Sequence, residues 1–428
     1  MELLSWIVYL TFALLTLGQA VVLAIQTWEH RRYARSCMRG IGDLKASGRA
    51  VVLAPCKGLD VAMGENLRAL FRQDYADYEL VFIVENDKDP AVTMIRRVAA
   101  EHPEVEARIV VAGRATDCGQ KVHNLRAATA EFPPEVEYLA FVDSDARPRP
   151  EWLRTLVARL AESNKIAAVT GYRWLLPERP TLANCLLYSI NSALMALVGR
   201  SSHCLVWGGS WGIKREAFEA IGLHEAWAGT ISDDLVAARE LRGAGRRVRF
   251  EPGCVVGSPT DDALADAVRF VRRQYLVARY YTPDWWMVGL GGVSLSAVAW
   301  LGNLAAIAGA WMWGVLPLWL PIAVTAVLYG LSVQRGRVRQ SLVQSYFPEH
   351  RSRLHTAARF DVWANPLGTL TGWLGVLGSA VGRQITWRGI SYRMLPGGRI
   401  GAVTRRDGPM PSPGRHKTHR PATYRKAG

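Results

Sequence analysis

The hydrophobic residues of this chain follow two kinds of pattern. Long uncharged runs occupy residues 3–28, 285–333 and 362–382, toward the two ends of the sequence. Each is long enough to cross or enter a hydrocarbon core of about 30 Å. From residue 50 onward the apolar residues instead come in short bursts. Residues 51–54, 80–84, 108–111 and 138–142 read as buried parallel strands, and residues 63–72 and 91–101 carry the helical period. Strands alternating with helices predict a doubly wound α/β domain that holds its ligands at the carboxyl ends of the strands.

The flanks of the apolar runs predict a topology. The first run is followed by Arg31, Arg32, Arg35 and Arg39, so the domain behind it is expected on the cytoplasmic side. A cleaved signal peptide would carry its positive charge ahead of a shorter apolar stretch, so this run reads as an uncleaved anchor. Residues 285–333 suffice for two spans joined near residues 314–317, with Arg335, Arg337 and Arg339 returning the chain to the cytoplasm. Residues 362–382 contain Asn365, Pro366 and several glycines, and a full crossing would place a basic tail outside. That run is read as re-entrant or interfacial. Residues 181–199 are also uncharged, but Asn184, Ser189, Asn191 and Ser192 suit a buried or membrane-grazing helix. The expected division is an anchor at 1–30, a cytoplasmic domain at 48–282, two spans at 285–333, a loop at 334–361, the interfacial segment at 362–382 and a basic, partly disordered tail at 383–428.

Charge and composition refine this picture. The net charge is +15, and residues 383–428 hold eleven Lys or Arg against one Asp. Most of the excess therefore lies outside the α/β domain. Beside apolar segments, such a patch points to anionic lipid headgroups and not to nucleic acid. Sixteen tryptophans suit a protein with aromatic residues at a membrane interface. The six cysteines show neither a CxxC pair nor zinc-finger spacing, and read as free thiols of a reducing compartment.

Candidate chemistry clusters at the predicted strand ends. Asp143-Ser144-Asp145 follows an apolar strand and could hold a divalent cation and a diphosphate. Lys57 and Asp60 lie after the first strand, Glu85 after the second, and Asp233-Asp234 after a Gly/Trp-rich stretch. Lys57 and Lys121 could neutralise phosphate oxygens. Recurring acidic loops with two placed lysines describe a nucleotide-diphosphate site.

These residues resemble the motifs of the ceramide glucosyltransferase family, inverting enzymes of the family 21 and family 2 type. Residues 55–60 (Pro-Cys-Lys-Gly-Leu-Asp) are similar to its PxKGxD, and residues 121–125 (Lys-Val-His-Asn-Leu) to its KxxNL. Asp143-Ser144-Asp145 stands at its second acidic motif, Gly208-Gly209-Ser210 with Arg215 resembles its glycine/serine segment, and Asp233-Asp234 falls where it carries Glu-Asp. The resemblance runs from about residue 50 to residue 281. It implies a GT-A domain with flanking transmembrane helices, in which Asp60 and Glu85 contact the nucleoside. It further implies that Asp143 and Asp145 serve the ribose, diphosphate and metal (Mn2+ or Mg2+), that Asp234 beside Asp233 is the general base, and that Gly209, Ser210 and Trp211 lie in the acceptor region. The family's (Q/R)xxRW pattern does not match cleanly: Arg279 precedes an aromatic residue, but Leu276 occupies the position of Gln or Arg. Arg279 is expected to pair with the diphosphate. Its alternative, shared with Arg272 and Arg273, is to face anionic headgroups. His123 and His203 read as structural, and Trp207, Trp211 and Trp227 as either stacking platforms or packing anchors.

The resulting expectation is transfer of a hexose from a UDP-sugar, UDP-glucose by resemblance, to a lipid hydroxyl at the inner membrane of a bacterium. A processive polysaccharide synthase and an inactive scaffold on a transferase fold are the alternatives.

Overall fold

The computed structural model describes residues 2–199 and 204–405. The first apolar run and the arginines behind it form one continuous helix, α1 (Glu2–Arg39), which passes the expected boundary at residue 30. Then comes the alternation: β1 (Arg49–Pro55), α2 (Met63–Phe71), β2 (Tyr78–Val84), α3 (Pro90–Ala100), β3 (Glu106–Val111), α4 (Gln120–Ala128), β4 (Val136–Val142) and α5 (Trp152–Ala161). It continues through β5 (Ile166–Pro177), α6 (Leu182–Met195), β6 (Ser210–Lys214), the short α7 (Arg215–Ala220) and α8 (Leu223–Ala226), α9 (Asp233–Gly243) and β7 (Arg247–Thr260). The C-terminal part holds α10 (Leu264–Tyr281), α11 (Pro283–Trp313), α12 (Trp319–Tyr346), α13 (His355–Trp363), α14 (Asn365–Ala380), β8 (Gln384–Trp387), β9 (Ile390–Met394) and β10 (Ile400–Arg405).

Seven strands form one sheet in the order β3-β2-β1-β4-β6-β5-β7. Strands β1 to β4 run parallel, and β6 is antiparallel to both β4 and β5. Alternate residues of β1 enter different cores: Ala50, Val52 and Ala54 pack with α2, α3 and α5, whereas Val51 and Leu53 pack with α4, α7 and α9. Burial on both faces is why this strand reads as an unbroken apolar run. The chain order reverses direction between β1 and β4, which opens a crevice at their carboxyl ends. This is the GT-A arrangement that the resemblance implied.

By length and composition, α1 and α11 could each cross a membrane. Helix α12 starts apolar but ends with Arg335, Arg337 and Arg339, and Arg339 is buried against Asp361 of α13 at 2.8 Å. Helix α14 has 16 residues, short of the roughly 20 that a span requires, and packs on α10 and α11. The segment expected as a basic tail is partly a folded element. Residues 384–405 form a three-stranded antiparallel sheet, β10-β9-β8, whose Ile385 and Met394 enter the core below α4 and α9. The remainder of the tail expected to be partly disordered, residues 406–428, lies outside the described residues.

Candidate active site

The crevice is built from strand-end loops fastened to one another. After β1, the Cys56 amide donates to the Ile83 carbonyl at 2.7 Å. Gly58 takes φ +67°, and its amide donates to Asp89 Oδ1 at 2.8 Å. Asp89 also caps α3 by accepting from the Ala91 amide. This anchored loop sets Lys57 Nζ 2.5 Å from Glu85 Oε2, at the end of β2. It also sets Asp60 to accept from the Ser144 hydroxyl at 2.5 Å, at the end of β4. The ends of β1, β2 and β4 thus share one polar network.

Lys121, on the first turn of α4, links the two acidic motifs. Its Nζ lies 2.7 Å from Asp143 Oδ1 and 2.8 Å from Asp233 Oδ1. Burial works against the charged amine, but Asp143, Asp233 and Asp234 outweigh it and raise its pKa. Burial would likewise raise Asp143, yet Lys121 and Arg173 hold it below the usual carboxylate range. Asp233 goes the other way: burial, reinforced by Asp234 and Asp143, pushes its carboxyl up to about 6 against the pull of Lys121. Asp233 Oδ2 is buried with no hydrogen-bond partner among the described residues. Asp234, at the N-terminus of α9, is held by three donors: the Gly208 amide at 2.7 Å, the Leu235 amide at 2.8 Å and the Ser232 hydroxyl. The α9 N-terminus supplies further support for negative charge at this pair.

Asp145 meets Arg173 of β5 at 2.5 Å, and Arg173 Nη1 also lies 3.6 Å from Asp143. Asp145 Oδ1 is buried without a hydrogen-bond partner among the described residues, so one carboxylate oxygen is left for a ligand. Among those residues no group of three or more His, Cys, Asp or Glu is placed to hold a metal ion. The Asp143–Asp145 pair does suit Mg2+ or Mn2+ bound in the manner of nucleotide sites, where one or two carboxylates act with phosphate oxygens and water. Arg273 of α10 faces the same crevice; burial and the nearby Arg173 and Arg388 lower its guanidinium to about 10. It makes no ion pair or hydrogen bond among the described residues. Gly209 takes φ +91°, and a Cβ there would stand 3.1 Å from both Arg173 Cδ and Asp143 Oδ2.

The C-terminal sheet closes one side of the site. Strands β8 and β9 are joined by the two-residue turn Arg388-Gly389, both with positive φ (47° and 76°). That backbone suits a tight hairpin but is costly for arginine. The turn delivers the Arg388 guanidinium to Asp60 and to the Lys57 carbonyl. Burial pushes the Asp60 carboxyl up, and Arg388 opposes it. From β10, Arg405 grips Glu85 with two contacts at 2.8 and 2.9 Å and reaches Gln120 Oε1 at 2.6 Å. Burial would raise Glu85, but Lys57 and Arg405 outweigh it and hold the carboxyl low. The sheet is also fixed to α4, where the Gln120 amide donates to the Tyr392 hydroxyl, and to α10 through the Tyr281 hydroxyl and the Gly398 carbonyl.

A model of the family described as Glycosyl transferase family 21 matches residues 11–400. The chain belongs to glycosyl transferase family 21. It is 25% identical over 199 residues to ceramide glucosyltransferase 1 of Caenorhabditis elegans, covering 45% of this chain and 42% of that protein. It is 36% identical over 59 residues to a ceramide glucosyltransferase of Komagataella phaffii, covering 14% and 12% of the two chains. The chain thus spans less than half the length of these relatives. Among solved structures it is similar to the mannosyltransferase PcManGT from Pyrobaculum calidifontis in complex with GDP-Man and Mn2+. There the identity is 20% and the TM-score 0.46, over 81% of this chain and 99% of that one.

Lys57, Asp60, Glu85, Lys121, Asp143, Asp145, Asp233, Asp234 and Gly209 therefore come together in one crevice. Three other expected residues do not join them. Arg279 donates to the Ser379 carbonyl at 2.5 Å and the Gly382 carbonyl at 2.8 Å, so it caps the end of α14 instead of facing the acidic cluster. Ser210 and Trp211 are fully buried because β6 is an interior strand. The Ser210 hydroxyl bridges Trp152 and the Cys254 carbonyl, and Trp211 stacks on Phe141 at 4.0 Å. Neither side chain is open to an acceptor. Trp227 is also a packing residue, its indole donating to the Asp233 carbonyl at 3.0 Å. Sequence reasoning missed Arg173, Arg388 and Arg405. A signal existed for Arg173, the one charge inside the apolar strand 166–177. Arg388 and Arg405 gave none beyond belonging to a basic segment.

Proposed function

We propose that this chain is a membrane-held inverting glycosyltransferase that moves a hexose from a UDP-sugar, UDP-glucose by resemblance, to a hydroxyl of a membrane lipid such as ceramide, a hopanoid or diacylglycerol. The observation that carries the reading is the Lys121 bridge between Asp143 and Asp233, which joins the acidic pair proposed for the cation to the neighbour of the proposed base. Asp60 and Glu85 are assigned to the nucleoside. Lys57, Arg173, Arg273 and Arg388 face the space where a diphosphate would lie. Asp143 and Asp145 would hold a divalent cation, which when bound offsets the charge gained by the leaving diphosphate.

Asp234 acts as general base. Its three donors fix the carboxylate, and it takes the proton of the acceptor hydroxyl as that oxygen attacks the anomeric carbon. The new glycosidic bond forms as the bond from the anomeric carbon to the diphosphate breaks, and the electron pair leaves with the UDP. Attack from the opposite face inverts configuration. The apolar helices α1 and α11 support an acceptor that stays in the bilayer, with the catalytic domain on the cytoplasmic side.

The test is a transfer assay with the full chain in detergent and lipid extract, comparing radiolabelled UDP-glucose with UDP-N-acetylglucosamine. A small lipid-soluble product that needs a divalent cation and is lost in Asp234→Asn supports the reading and names the donor. A polymeric product, or activity unchanged in Asp234→Asn, overturns it.

A further inference from the structure

A cavity of about 650 Å³ lies where the basic end of α1 meets the end of α12. Arg31, Arg35 and Arg39 all line it. They are spaced four residues apart on a helix and therefore share one face. No carboxylate is among its lining residues. Neighbouring Arg32 is already paired with Glu29 at 3.1 Å, but Arg31, Arg35 and Arg39 make no ion pair among the described residues. The dipole of α1 accounts for a cation in its last turn, where Arg39 sits, and not for Arg31 two turns earlier. One nitrogen of this arginine face, Arg31 Nε, is buried and has no partner among the described residues. A phosphate group would accept from the unpaired guanidiniums of Arg31, Arg35 and Arg39.

The height of the cavity along α1 selects the source of that phosphate. Below it, Leu3, Leu4, Ile7, Val8, Leu14, Leu15 and Ile25 are exposed apolar residues, and the run ends at Trp28, 51% exposed, which lines the cavity and stacks under Arg32. An exposed tryptophan at the end of an apolar helix marks the headgroup level of a bilayer. We propose that this cavity is a binding site for the phosphate headgroup of an anionic membrane phospholipid, separate from the acceptor site. Basic pockets between membrane helices on the cytoplasmic side recognise headgroups in this way. The inference rests on α1 lying in the membrane, as in the proposed function, and does not depend on the transfer reaction.

The test uses the full chain with phosphatidylcholine vesicles, with and without phosphatidylglycerol, and counts bound phosphatidylglycerol by native mass spectrometry after transfer to detergent. One saturable phosphatidylglycerol is expected. The double variant Arg31→Gln/Arg35→Gln should bind it about thirtyfold more weakly, the effect of two basic contacts near an anionic surface. Removing the same charge from the tail, Arg415→Gln/Lys417→Gln, should leave it unchanged. Equal losses from the α1 and tail variants would mean a diffuse field and would overturn the site, as would competition by millimolar inorganic phosphate, which would make it a soluble-anion site. Failure of the protein to float with phosphatidylcholine vesicles would instead overturn the membrane placement, and with it the proposed function's topology.

Discussion

The crevice joins two regions of opposite charge and opposite legibility. Residues 49–260 bring the carboxylates Asp60, Glu85, Asp143 and Asp145 just after strand ends, and Asp233 and Asp234 on the first turn of α9. Residues 384–405, far along the chain, bring Arg388 and Arg405 directly onto two of those carboxylates. By composition the positive excess belongs to a tail outside the catalytic domain. In the fold, part of it returns to the candidate site. The contrast shows that charge segregated along a sequence need not be segregated in space, and that a hairpin tip can supply what a strand end lacks. Substitutions at the two should therefore differ in effect: loss of chemistry at Asp234 in the first, loss of donor affinity at Arg388 in the second.

The largest effect is expected at Asp234, the proposed base. Asp234→Asn should lower kcat by about a thousandfold, with a melting temperature lower by a few degrees, since the asparagine oxygen can still accept from the Gly208 amide but its NH2 then faces the Leu235 amide. Lipid-product formation under saturating donor measures it. Asp145→Asn should follow, raising the Mn2+ concentration needed for half-maximal activity by at least about tenfold, because even outer-shell partners of metals are worth that much. Chelation should abolish turnover in both the parent and this variant.

Asp233 supplies a pH test. Its ionised form holds Lys121 at 2.8 Å, and its carboxyl is pushed up to about 6 from the ordinary 3.8. Activity should fall about tenfold per pH unit below 6, and Asp233→Asn should remove this limb at the cost of a lower plateau. Stability has the opposite sign. A carboxyl raised in the folded state stabilises the fold while protonated, below about pH 4, and that contribution is lost as pH rises through about 6. A melting curve that gains stability from Asp233 across the same window would contradict the burial on which this prediction stands.

The C-terminal region gives the next effect. Arg388→Ala should raise the donor KM by about tenfold, the worth of one charge-assisted contact, with kcat changed less, and Arg388→Lys should recover part of it. A lower KM would show that Arg388 competes with the donor for Asp60, and would turn this arm of the comparison from support into obstruction.

The difference in legibility has a physical cause. The strands at 51–54 and 80–84 are buried on both faces, so local composition announces them, and the acidic residues that follow them inherit a position at the ligand edge. Lys121 was readable from its resemblance motif instead, since the strand before it, β3, is a half-exposed edge strand separated from α4 by eight residues. Arg388 and Arg405 depend on a short antiparallel sheet whose strands of four to six residues carry little periodic signal, and on contacts about 300 residues apart in sequence. The motif at Gly208-Gly209-Ser210 shows the intermediate case. Its first two glycines do border Asp234 and Asp143, because any Cβ would collide with those carboxylates, but the pattern does not reveal that Ser210 already points into the core.

The smallest effect belongs to the position where sequence and structure part. An arginine ahead of an aromatic, near the end of α10, fits a diphosphate ligand by pattern, yet Arg279 spends its donors on the Ser379 and Gly382 carbonyls. Arg272, two turns earlier, does the same for the Gly378 and Val381 carbonyls at 2.8 and 2.9 Å. Two guanidiniums thus close the C-terminus of α14, where free carbonyls concentrate negative charge, and tie α10 to the segment leading into β8. Arg279→Gln should leave the donor KM within about twofold while lowering the melting temperature by a few degrees, as loss of a partly buried charged hydrogen bond of about 1.5–3 kcal/mol requires. It should also loosen β8, so that any rise in KM ought to vanish in the Arg388→Ala background: a helix-end clamp acts on the donor only through the hairpin it positions. A full tenfold rise that adds to that of Arg388→Ala would restore Arg279 to the donor site.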